Sequence, residues 1–349
     1  MTVDVKKEPS QTPQGEPSGG LAEPQRSWFQ RHGRVLESAL LPIAFVALIA
    51  GFGIHSPHEF LTLRNFSNIF GSQAVLFVLT MALLVPLTNG DLDLSVGALA
   101  GLVSMLVAVM NVNDGIPVVW CILVGLAAGL TCGLINGLIV VRFDVNPFII
   151  TLATGTVFGG IQEWLSKEQT IVGVSTKLSE WTFVKEIFSI PIEFYYGIVI
   201  MLIAWYVLTF TPFGQRALFV GQSREVARLS GFNVARMRLR GFVIAGFVSA
   251  IAGILYVGTT GSASPGTGAD LLLPAYAAAF LGLTTIQPGR FNAIGSGISV
   301  YFLATGVSGL ELLGAQDYVQ SLFYGVVLVI AVVVSRLVRQ RRLEAGAIR

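Results

Sequence analysis

Ten apolar runs, each close to the roughly 20 residues that a helix needs to cross a bilayer, follow one another along this chain of 349 residues. They lie near residues 37–54, 69–88, 94–110, 116–141, 147–164, 194–211, 241–258, 271–286, 293–310 and 318–336. Hydrocarbon offers no water to the backbone, so such runs must satisfy their N–H and C=O groups internally, as helices. The expected fold is therefore all-α, a polytopic membrane protein of about ten transmembrane helices. Composition agrees, with 53% hydrophobic and 12% charged residues and a mean hydropathy of +0.72, far from ordinary soluble domains. Several runs are short or broken by Gly and Pro, which is tolerated where backbone is buried in protein or lines a cavity.

Residues 1–35 read as a disordered tail, because the first 25 are rich in Pro, Gly, Glu, Gln and Ser. They hold no apolar core of a signal peptide, and no small-residue cleavage site precedes His55, so the first run should stay as an anchor. Residues 36–338 form the expected membrane domain, and 339–349 a basic C-terminal tail. Starting inside the cell places 18 of the 22 Lys and Arg residues on the cytoplasmic side and leaves Arg64, Lys167, Lys177 and Lys185 outside. That excess predicts cytoplasmic termini and a cytoplasmic 212–240 loop in a multi-pass protein of the plasma membrane. The longest external segment, 165–193, is then the candidate contact for an extracytoplasmic protein or a solvated connector.

Chemistry inside the chain is sparse. There is no G-x-x-x-x-G-K-[ST] phosphate loop, no H-E-x-x-H and no Cys/His cluster, so no catalytic residue, metal site or bound cofactor is expected. Cys121 and Cys132 lie eleven residues apart in one run, about 16 Å along a helix and too far for a disulfide. None of the 22 basic, 20 acidic and 3 histidine side chains falls near the centre of a run. Ion-driven carriers generally mark their path with such groups, although carbonyls and hydroxyls alone can hold sodium. An energy-supplying partner is thus favoured over an ion-coupled carrier. A membrane scaffold is a more distant alternative, and nothing points to nucleic acid.

The 212–240 loop carries six arginines and one acid. Gln222 or Ser223 can cap a short helix over 224–230, which Gly231 would end in the left-handed conformation, and Asn233 can cap the next helix. Val226 and Leu229 fall on one face, Arg224 and Arg228 on another, with Glu225 spaced to pair with Arg228. Such a knob either docks a partner or meets anionic lipid head groups.

These residues resemble the cytoplasmic coupling loop of ribose-type ABC permeases (ribose, xylose, galactoside and branched-chain-like). The family pattern G-x-x-x-x-A-x-G-x-N-x-E-A-A-x-x-S-G is matched by Gly214, Ala217 or its neighbour, Gly221, Glu225, Ala227, Ser230 and Gly231, while Ser223 stands for Asn and Val226 for Ala. GDLDLSVG resembles the family's G-G-I-D-L-S-V-G, with Gly90, Asp93, Leu94, Ser95, Val96 and Gly97 agreeing and Asp91 replacing a glycine. VNPFIITLAT resembles the opening of the fifth span. A later counterpart, PGRFNAIG, keeps Gly289, Arg290 and Gly295 but departs at Pro288, Phe291 and Asn292. The resemblance implies half of an importer channel, built from two pseudo-repeated halves. It implies a second permease subunit (homodimer or heterodimer), two cytoplasmic ATPase subunits holding ATP and Mg, and an extracytoplasmic solute-binding protein for a monosaccharide or related polyol. Residues Gly214, Gly221, Arg224, Glu225, Val226, Ala227, Arg228, Leu229, Ser230 and Gly231 become the candidate ATPase-coupling set.

Pathway candidates are the polar groups in or beside spans: Gln73 and Thr80 on one helical face, Asn89, Asp93, Ser95, Asn136, Asn146, Thr151 and Thr154. Each also reads as a hydrogen-bonding tether between helices. Asp93 reads as a helix N-terminal carboxylate, with Ser95 helping to cap, or as a gate element. Asp91, the extra acid, can instead face the cytoplasmic mouth. Phe148, Phe158 and Trp164 are stacking candidates or interfacial anchors. Two small-residue ladders, Gly125/Gly129/Gly133/Gly137 and Gly241/Ala245/Ser249/Gly253, predict close helix packing in the fourth and seventh spans, one in each half.

Overall fold

A computed structural model describes the backbone of residues 28–347 and the side chains of residues 38–316 and 318–334. Its helices are α1 (Trp28–His55), α2 (Pro57–Phe60), α3 (Leu63–Ser72), α4 (Ala74–Thr88), α5 (Val96–Val112), α6 (Val118–Arg142), α7 (Pro147–Ser166), α8 (Thr176–Ser179), α9 (Ile192–Phe210), α10 (Pro212–Gln222), α11 (Arg224–Leu229), α12 (Val234–Thr260), α13 (Thr267–Gly282), α14 (Ala293–Leu312) and α15 (Asp317–Ala347). A π-helical turn covers Glu180–Val184, and two minimal antiparallel ribbons pair β1 (Ile171–Val172) with β4 (Ser262–Ala263) and β2 (Glu186–Ile187) with β3 (Ile190–Pro191). The fold is all-α and polytopic. Helix α1 starts at Trp28, so residues 28–35 of the expected tail belong to it, and α15 runs past the expected boundary at 338. The rest of that tail, residues 1–27, lies outside the described residues.

Nine of the ten apolar runs each fall on one helix and the 69–88 run spans the end of α3 and all of α4, but they are not equivalent. Among the described residues five helices (the first from Ser38, then α6, α9, α12 and α14) are each long and apolar enough to cross a membrane, and α3 with α4, bent by 41°, makes a sixth. The bend falls at Gln73, where Gly71 sits against the Pro191 ring and leaves no room for a Cβ. Helix α5 and the apolar stretch Tyr318–Val334 of α15 are shorter, α13 has 16 residues with Pro274 inside it, and α7 carries Gln162 and Glu163.

Every side chain of α4 is buried, so this helix is hydrophobic all round and lies inside the protein rather than against lipid. It packs on α9, α12, α13 and α14. Its Phe77 joins Tyr301, Phe70 and Phe194 in an aromatic cluster with centroids 5.0–5.7 Å apart, edge-on except for the tilted Phe70–Phe194 pair. A second cluster joins α5, α6, α7 and α12 through Val103, Val107, Cys121, Phe158 and Ile254.

The glycine ladders pack tightly, though not on each other. On α6, Gly129 faces Ala250 and Gly246, Gly133 faces the Phe242 carbonyl, and Gly137 faces Leu239 and Phe242. The α12 stripe that receives them is therefore Phe242, Gly246 and Ala250. Gly241 and Gly253 of the expected α12 ladder turn elsewhere, to the Asn89 side chain and the Ala100 carbonyl of α5. A four-residue spacing defines a face, and α12 has two such faces in use.

Candidate coupling site at the basic end

The segment after α9 folds into a compact knob. Thr211 caps α10 by accepting from the Gly214 amide at 3.4 Å, and Gly214 lies so close to the Leu208 carbonyl that a Cβ would not fit. Ser223, in extended conformation, accepts from the Val226 amide at 3.3 Å and caps α11. Gly231, at φ 82°, ends that helix in the left-handed conformation favoured by glycine. Asn233 caps α12 by accepting from the Arg236 amide at 2.9 Å. Buried Ala217, Val220, Ala227 and Met237 form a small core, closed by the Phe219–Phe232 edge contact.

Glu225, Val226, Arg228, Leu229, Ser230 and Gly231 face outward, and Leu229 is 82% exposed. No Glu225–Arg228 ion pair forms. Arg224 turns inward instead: its Nη2 lies 2.6 Å from Asp91 Oδ1 and donates to the Gly90 carbonyl at 3.0 Å. Arg238, in the first turns of α12, grips the same carboxylate through Nε at 3.0 Å and Nη2 at 2.9 Å. Its Nη1 is 3.6 Å from Asp144, in the turn between α6 and α7. Asp91 is thus buried beneath the knob and does not face an open mouth. Beside it Gly221 packs against the Thr88 carbonyl, and Gly90, at φ 76°, against the Gly221 carbonyl. The loops 89–95, 143–146 and 212–233 meet at one end of the helices.

From Asp91 the polar contacts continue inward. Asp93 Oδ1 accepts from the Ser95 amide at 3.0 Å and from Ser95 Oγ at 2.6 Å, and that hydroxyl accepts from Asn136 Nδ2 of α6 at 2.8 Å. Ser95 therefore bridges Asp93 to α6 and does not cap α5 amides, as was expected of it. Burial pushes the Asp93 carboxyl up to about 6, against the Ser95 hydrogen bonds that pull it down. Thr151 of α7 accepts from the Leu94 amide at 2.9 Å and donates to the Pro147 carbonyl at 2.8 Å. Asn89 donates to the Met237 carbonyl of α12 at 3.1 Å.

The other pathway candidates are placed separately. Thr80 is buried in α4 and donates to the Leu76 carbonyl, Thr154 donates to the Thr151 carbonyl, Gln73 lies at the α3–α4 bend, and exposed Asn146 caps α7. None of the nine lines the cleft beside the knob. Asn89, Asp93, Ser95, Asn136 and Thr151 instead tie the starts of α5, α7 and α12 and the end of α6 together. Phe158 is buried, while Phe148 and Trp164 are exposed. A cleft of about 260 Å³ does open beside the knob, lined among others by Thr209, Gln215, Gln287, Arg290 and Asn292.

Sequence reasoning left Asp91 and Arg238 outside the candidate set, and only the non-glycine at 91 signalled them. It also missed Gln162, buried on α7 and donating to the Ala98 carbonyl at 3.0 Å. Glu193, two residues into α9, is fully buried and accepts from Thr259 of α12, with its Oε1 unpartnered. At this opposite end the 167–191 segment is held by the β1–β4 ribbon and by Leu178 and Thr182 packed under Gly258, and Phe188 protrudes at the β2–β3 turn.

Residues 64–332 match a family model described as the branched-chain amino acid transport system / permease component. The ribose import permease protein of Bacillus subtilis (strain 168) is 34% identical over 80% of this chain and 86% of its own length. An autoinducer 2 import system permease protein of Photorhabdus laumondii is 31% identical over 87% of this chain and 91% of its own. The D-allose transport system permease protein of Escherichia coli (strain K12) is 29% identical over 83% and 89%. No solved structure matches.

Proposed function

This chain belongs to the branched-chain amino acid transport system / permease component family, and we propose that it is the membrane subunit of a binding-protein-dependent ABC importer. It is a transport component, spanning the bacterial inner membrane several times. In this reading both termini and the 212–240 knob are cytoplasmic. It pairs with a second permease subunit, docks two ATPase subunits that hold ATP and Mg, and receives a monosaccharide or related polyol from an external binding protein. The sugar class rests on relatives named for ribose, D-allose and fructose import.

The observation that carries the reading is the knob itself. A six-residue helix, capped at both ends and supported from below by buried Ala227, presents Glu225, Val226, Arg228 and Leu229 to the outside. Exposed apolar side chains on a rigid, charged-rimmed support suit protein docking better than lipid contact, which would favour a broad basic face. The external 167–191 segment, with Phe188 at its tip, is the corresponding candidate for the binding protein.

The test is co-purification with a co-expressed candidate ATPase subunit. Glu225→Ala removes the outward acid, and Gly231→Val forces a β-branched residue to φ 82°, costing on the order of 1–3 kcal/mol of local strain. Both variants are expected to insert normally and to retain clearly less ATPase. Full retention by both would remove the docking role.

A further inference from the structure

Four charges meet where the knob joins the membrane domain, and they are unequally buried. The Asp91 side chain is 1% exposed and Arg238 5%, whereas Arg224 is 41% and Asp144 94%. A carboxylate as deep as Asp91 needs a permanent counter-charge, and Arg238 supplies one with two guanidinium nitrogens. Arg224 is not required for neutrality. Its pair with Asp91 can open into water while Asp91 stays compensated.

Opening that pair has a mechanical consequence. The same Arg224 Nη2 binds the Gly90 carbonyl, so one guanidinium fastens α11 to the 89–95 segment. That segment reaches α7 through Leu94–Thr151 and α6 through Asp93–Ser95–Asn136, and it leads directly into α5. Backbone packing of Gly221 against Thr88 transmits a push from the knob but cannot transmit a pull. A pull needs the ion pair.

Resting on the docking role of the knob, we infer that Arg224–Asp91 is a releasable latch that conveys movement of the ATPase-docking helix to the 89–95 segment. Asp91 is a positioning residue, held ready by Arg238. Coupling through a packed and hydrogen-bonded chain requires an element with two arrangements, and Arg224 is the partly exposed member of the quartet that joins α11 to the 89–95 segment.

The experiment is amide hydrogen exchange on the permease–ATPase complex with and without Mg-ATP. In the unmodified complex, Mg-ATP is expected to change exchange at residues 224–231 and also at 92–95. In Arg224→Gln the complex should still assemble and the change at 224–231 should persist, while the change at 92–95 falls at least about threefold, the scale of a half-exposed ion pair. Arg224→Lys should recover part of it. Asp91→Asn should lose the same response, and because it leaves Arg238 buried without its partner, Arg224→Gln decides the matter if that variant fails to fold. An undiminished response at 92–95 in Arg224→Gln overturns the latch. Loss of assembly in Arg224→Gln also overturns it, making Arg224 a docking contact. No response at 224–231 in the unmodified complex removes the docking role itself, and the latch with it.

Discussion

Asp91 and Asp93 stand two residues apart, yet their surroundings give them different work. Asp91 is met by two guanidiniums, one from α11 and one from α12, while the Asp93 carboxylate accepts two hydrogen bonds from Ser95. Removing Arg238 strands a buried carboxylate with one half-exposed partner. Breaking a buried pair typically costs about 3–5 kcal/mol, against about 0.2–1 kcal/mol for an exposed one. Arg238→Gln is therefore expected to lower the thermal midpoint of the purified chain by several degrees, and Arg224→Gln scarcely at all. Equal losses in a melting series would contradict the division between a fixed and a releasable arginine. Asp93 was readable as a helix-start acid because its motif and the following apolar run say so. Asp91 was not, because its partners lie more than 130 positions away and no local pattern reports them.

At the scale of elements, the positions of the helices were legible and their partners were not. Hydropathy marks where a segment can enter hydrocarbon, and each of the ten runs is helical, the second of them across the α3–α4 bend. It does not say that α4 is enclosed by protein on every side. The α6 ladder was equally visible, but its partner is the Phe242/Gly246/Ala250 stripe of α12, and the spacing alone selects neither that stripe nor its neighbour. Gly133→Leu places a side chain where a Cβ already lies 2.5 Å from the Phe242 carbonyl, so it should separate α6 from α12 and cost at least about 1–3 kcal/mol. Gly159→Ala on α7 meets nothing within 4 Å and should be neutral or slightly stabilising, since alanine favours helix. Thermal melts of the two variants in the same detergent check both. A destabilised Gly159→Ala would mean that another subunit packs on that face.

For the whole molecule, the gathering of loops 89–95, 143–146 and 212–233 at one end agrees with the alternation that charge counting predicts. The solute path was not legible, for a physical reason: a polar residue in a span reads the same whether it bonds a neighbouring helix or a solute. Asn89, Asn136 and Thr151 hold other parts of this chain, while Thr80 bonds the backbone of its own helix. A route between two paired subunits would use surfaces that one chain cannot display. Energy supply separates the importer from its ion-coupled alternative, and uptake by reconstituted vesicles reads it directly. Vesicles containing this chain, a candidate ATPase subunit and a candidate binding protein are expected to concentrate a labelled monosaccharide (ribose, allose or fructose) only with internal-facing Mg-ATP. Uptake by this chain alone, driven by an imposed proton or sodium gradient, would contradict the account.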